Sequence, residues 1–75
     1  MKLTIEVSDE DVAQIKHFLD ITDSKTSEFS SHGQLDLAKL TVMLLQDVAL
    51  VVRRPGSWEG ANMMTVLGAH GYHWD

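Results

Sequence analysis

Three kinds of side chain in this sequence have the chemistry to act. His70 and His73 lie three positions apart, with Asp75 just beyond. Two imidazoles and a carboxylate are donor types that suit a divalent metal. Gly71 interrupts the pair, however, so the two rings do not share a helix face, and His17 and His32 belong to other parts of the chain. The expectation is a solvated tail and no metal. Asp9, Glu10 and Asp11 are consecutive carboxylates, a composition that can serve general acid–base chemistry. Directly after Ser8 they read instead as the acidic first turn of a capped helix. No serine stands in a G-x-S-x-G context, no glycine-rich phosphate loop is present, and cysteine is absent. Nucleophilic, phosphate-binding and thiol chemistry therefore find no motif. The expectation is a protein that is not an enzyme and uses no cofactor.

The third kind is aromatic. Trp58, Tyr72 and Trp74 gather towards the C-terminus, with Met63 and Met64 between them. Trp, Tyr and Met are enriched where proteins meet. Large aromatics also complete small cores, so interface and core both stand as readings. Trp74, next to last in the chain, fits a core least well, because termini fray.

The elements that position these groups follow from periodicity. Residues 2–7, KLTIEV, alternate strictly, with Leu3, Ile5 and Val7 on one side and Lys2, Thr4 and Glu6 on the other. That is the period of a half-buried strand. Val12, Ile15, Phe18 and Leu19 follow the Ser8 cap at helical spacing and predict a helix over 9–20. Residues 21–33 are polar and without period, a loop with room for one helical turn at 27–30. Residues 34–54 have no glycine or proline and end in Arg53-Arg54 before Pro55-Gly56, the marks of a helix and its stop. This helix is apolar nearly all round, so Leu44, Leu45 and Val48 at its centre are expected to be almost fully buried. Ser57 then caps a helix over 58–69. Gly60 is unfavourable inside that helix unless something packs closely there, and Gly68 and Gly71 are candidates for the left-handed residue that ends it. The tail 72–74 is expected to extend as a short strand paired with residues 2–7.

Together these predict one α+β domain over residues 1–75, a small helix-dominated β-α-α-α(-β) arrangement with a minimal sheet. A chain of 75 residues with no cysteine builds a core of only ~3–5 kcal/mol unaided. A homodimer covering the excess apolar surface of the middle helix is the expected remedy. Eleven acidic residues against six basic give a net charge of −5, which opposes approach to nucleic acid. The longest apolar run, 40–52, is too short to span a membrane. Acidic residues appear from Glu6 onward, which leaves no signal-peptide apolar region, so the cytoplasm is the expected location.

Residues 2–19, KLTIEVSDEDVAQIKHFL, resemble the opening of ribbon-helix-helix repressors. The resemblance implies a dimer through paired strands, with Lys2, Thr4 and Glu6 facing the DNA major groove. Two features depart from that family: the gap 21–33 is much longer than its tight turn, and Glu6 puts negative charge on the reading face. A DNA-binding repressor or antitoxin is therefore the alternative reading. The favoured one is a non-catalytic protein-binding module. In composition the chain is similar to small acidic accessory proteins of phages and mobile elements, some of which inhibit host defence proteins such as CRISPR effectors by occupying their surface. The residues expected to meet a basic partner surface are Glu6, Asp9, Glu10 and Asp11, joined by Trp58, Tyr72 and Trp74.

Overall fold

The computed structural model describes residues 1–23 and 34–73. They form three helices: α1, Asp9–Asp23; α2, Leu37–Arg53; and α3, Trp58–Ala69. The chain forms two compact units, Met1–Lys39 and Leu40–Asp75.

One local device starts all three helices. A side-chain oxygen just before the helix accepts a hydrogen bond from the third helical N–H, a donor that has no partner within the helix itself. Ser8 Oγ accepts from the Asp11 N–H at 3.1 Å. Asp36 Oδ1 accepts from the Lys39 N–H at 2.7 Å. Ser57 Oγ accepts from the Gly60 N–H at 3.1 Å. The serine caps are legible in the sequence. Asp36 moves the start of α2 three residues beyond the expected position 34, because its carboxylate competes for the backbone and claims the cap.

In the first unit, the Ser8 carbonyl accepts the first helical bond, from the Val12 N–H at 2.9 Å. Val12, Ile15 and Leu19 turn inward, and Phe18 and Ile21 are exposed. The helix runs three residues past the expected position 20. Thr22 Oγ1 donates to the Leu19 carbonyl at 3.0 Å, so its hydroxyl is satisfied inside the helix instead of breaking it. The expected turn at 27–30 lies outside the described residues.

In the second unit, α2 turns into α3 within four residues. The Arg54 N–H donates to the Leu50 carbonyl at 2.9 Å, and the Arg54 carbonyl accepts from the Ser57 N–H at 2.9 Å. Ser57 Oγ also donates to that carbonyl, at 2.7 Å. Gly60 is buried at the crossing. A Cβ there would lie 2.9 Å from the Leu50 carbonyl oxygen and 3.0 Å from that of Arg54, which is the close packing its place in the sequence calls for. At the far end of α3, Gly71 takes φ +87°. The Tyr72 N–H reaches back to the Leu67 carbonyl and the Gly71 N–H to the Gly68 carbonyl, both at 2.9 Å. This is a Schellman end, with Gly71 and not Gly68 as the left-handed residue.

Two expectations are corrected. The described residues contain no strand, so the fold is all-helical and not α+β with a minimal sheet. Residues 2–7 have the alternation of a strand, but alternation encodes a face, not a partner. Tyr72 is held in the helix-ending motif, and no backbone hydrogen bond between described residues outside the helices involves residues 2–7. Nor is the centre of α2 buried: Leu44, Leu45 and Val48 are 41, 55 and 38% exposed. Inside its unit α2 has one helical neighbour, and one neighbour covers one side. Among the described residues the buried hydrophobic side chains are Leu19 and Val51, each at 5% exposure.

Candidate functional site

The acidic candidates all lie in the first unit. Asp9, Glu10 and Asp11 form the first turn of α1, and their side chains are exposed, as is that of Glu6. The helix explains why three carboxylates are stable side by side. The free N–H groups of the first turn carry partial positive charge, which the acids offset. The part of that charge which remains is directed at solvent and free to attract a basic surface.

The aromatic candidates belong to the second unit. Trp58 is the first residue of α3 and Tyr72 lies just beyond its end, so the length of the helix, about 18 Å, separates them. They do not form one cluster. They are 73 and 69% exposed, which removes the core reading for both. Trp74 lies outside the described residues.

Two features of the second unit complete the surface. A shallow cavity of about 220 Å³ is lined by Val48, Val51 and Val52 of α2, Met64 and Leu67 of α3, and Tyr72 and His73. Its Leu67–Tyr72 wall is the pair of residues joined by the Schellman hydrogen bond. The second feature is a stripe on α2. Val42, Leu45, Ala49 and Val52 are all exposed, on the side of the helix away from half-buried Leu40, Met43 and Leu50. Their spacing of three, four and three residues is that of a helix-packing seam. This signal is present in the sequence. It is obscured there because both sides of α2 are apolar, so periodicity alone does not say which one the chain itself covers.

His70 and His73 are exposed. Among the described residues no three histidine or carboxylate side chains gather into a metal-binding group. No described helix is long and apolar enough to cross a membrane. Comparison with protein-family models, curated proteins and solved structures finds no match to this chain.

Proposed function

We propose that this chain is a non-catalytic protein-binding module that acts by covering part of a partner protein's surface. One observation carries the reading: large apolar side chains, among them Phe18, Val42, Leu45, Val52, Trp58 and Tyr72, stand exposed while the described core is reduced to Leu19 and Val51. Within the second unit Val42, Leu45 and Val52 form a continuous exposed stripe on α2, and contiguous exposed apolar surface is the property of an interaction site. The exposed acids Asp9, Glu10 and Asp11 give the partner its sign: a basic surface, approached faster because of the chain's net charge of −5. A host defence protein whose nucleic-acid-binding face is basic has that chemistry. Inhibition would follow from occupying the face, with no reaction required. The cytoplasm is the compartment this reading assigns.

The test takes a nucleic-acid-dependent host enzyme recovered on the immobilised chain and measures its association rate at low and high salt. Replacing Asp9, Glu10 and Asp11 together by Lys should slow association about tenfold or more at low salt, and much less at high salt. The enzyme's nucleic-acid binding should fall as the chain is added. An unchanged association rate would remove the acidic turn from the interface. A labelled DNA duplex, titrated at low salt with the chain alone, checks the repressor alternative. Tight, salt-sensitive binding to that duplex would replace the proposal with the alternative.

A further inference from the structure

We propose that the second unit docks one amphipathic helix of its partner protein, laid along the exposed stripe of α2, with a large apolar side chain in the cavity on one flank and a carboxylate beside Arg53 on the other. The proposal rests on the reading of that stripe as an interaction site and adds the kind of segment it takes. Val42, Leu45, Ala49 and Val52 are exposed over about 15 Å of α2, close to three turns of a regular helix. Their spacing of three, four and three residues lets a second helix lie along them with its side chains between theirs. The small side chain of Ala49, in the middle of the stripe, leaves a hole for a larger one opposite.

The two flanks of the stripe differ, and the difference selects the occupant. At about 100° per residue, Val48 falls on one flank and Gln46 and Arg53 on the other. Val48 and Val52 both line the cavity, so the first flank opens into it. The cavity's volume of about 220 Å³ exceeds the ~150 Å³ that takes a benzene ring. Apart from Tyr72 and His73, its walls are valine, leucine and methionine. A large apolar side chain of the incoming helix fits there, as the anchors of protein interfaces fill desolvated pockets. The second flank is basic. Arg53 is exposed, whereas Asp47 and Glu59, the acids of the described part of this unit, are half-buried. A carboxylate on the incoming helix is the complementary group.

A second copy of α2 does not supply that group. Laid antiparallel along the stripe, it sets the flank of Gln46 and Arg53 against its own like; laid parallel, it sets Thr41 and Val48 against that flank. Neither direction brings a carboxylate of α2 to Arg53. The occupant is therefore a helix of a different protein, apolar along one seam, bulky on one flank and acidic on the other. This is recognition of a helix in a groove, in which a few apolar anchors give affinity and the flanking charge gives choice of partner.

The probe is a synthetic, fluorescein-labelled helical peptide of about four turns, with leucines at the spacing of the stripe, a Trp on one flank and Glu on the other. Two versions exchange the Trp and Glu flanks, one for each chain direction. Fluorescence anisotropy of the full chain with each should show one version binding with a Kd below about 100 μM. In that version Trp→Ala should weaken binding about tenfold or more, and Glu→Lys about threefold or more at low salt. The Arg53→Glu chain should prefer the Lys peptide. With methionine methyls labelled by carbon-13, the Met64 resonance should shift on binding and that of Met1 should not. No binding of either version at about 200 μM, or a Trp→Ala peptide that binds equally well, would overturn the proposal. So would an unmoved Met64 resonance. Light scattering at ~100 μM reads the competing occupant: a wild-type dimer that Leu45→Lys converts to a monomer, with helix content by circular dichroism unchanged, would give the stripe to a second copy and overturn the proposal. Failure of the peptide leaves the association test at Asp9, Glu10 and Asp11 standing, because those residues belong to the first unit.

Discussion

A Cβ on Gly60 would stand 2.9 Å from the carbonyl oxygen of Leu50, so α3 crosses α2 at a point that only glycine leaves open. The obstacle is backbone on a regular helix, and it does not swing aside as a side-chain tip would. Gly60→Ala therefore sets two effects against each other. Alanine favours the helix by at most about 1 kcal/mol, and less in the first turn. Overpacking against the α2 carbonyls costs about 1–3 kcal/mol. We expect a net loss of about 1–2 kcal/mol, read in a thermal melt as a fall of several degrees. A melting temperature equal to or above wild type would mean that the crossing relaxes.

Ser57 holds the same corner through its hydroxyl, which donates to the Arg54 carbonyl at 2.7 Å and accepts from the Gly60 N–H at 3.1 Å. Among the described residues Ser8 Oγ has only the accepting role. Losing a cap costs about 1 kcal/mol, so Ser8→Ala should cost about that much. Ser57→Ala should cost more, approaching about 2 kcal/mol, since a second bond goes with it. Denaturant unfolding of the two variants side by side gives the order, and a larger loss at Ser8 would contradict it.

Gly56 and Gly71 separate space from backbone conformation. At neither would an added Cβ meet an atom within 4 Å beyond the adjoining residues, and of the two only Gly71 has a positive φ. Gly71→Ala should cost about 1–2 kcal/mol through left-handed strain. Gly56→Ala should be neutral or stabilise by up to about 1 kcal/mol, because it restricts the unfolded chain. Chemical denaturation reads both, and equal effects would assign the Gly71 requirement to something other than its φ.

Val51 and Leu45 lie on different sides of α2, at 5 and 55% exposure. With the chain dilute enough to be a monomer, Val51→Ala should cost about 1.5–3 kcal/mol. Leu45→Ala should cost well under half of what a buried leucine does, a range of about 2–5 kcal/mol. Urea midpoints compare them directly. A Leu45 loss matching that of Val51 would show that this side of α2 is covered within a single chain.

The sequence by itself determined whatever depends on neighbours along the chain. Ser8 and Ser57 announce their helices because a cap bonds three residues ahead. α3 runs from Trp58 to Ala69, as its periodicity says, and Gly71 ends it because only glycine takes that φ freely. Gly60 even signalled a close contact, since glycine is a poor helix former without one. The tertiary structure decided what depends on who stands opposite. Residues 2–7 have a strand's alternation, yet a strand exists only when a second one supplies the ladder, and nothing described in this chain does. On α2 the sequence marks Val51 and Leu45 as equally apolar. Only the placement of α3, admitted by a missing Cβ at Gly60, covers one side of α2 within the second unit and leaves the stripe from Val42 to Val52 in solvent. Trp58 and Tyr72 were ambiguous for the same reason: an aromatic ring suits a core or an interface equally, and burial is settled by packing geometry that no local pattern records.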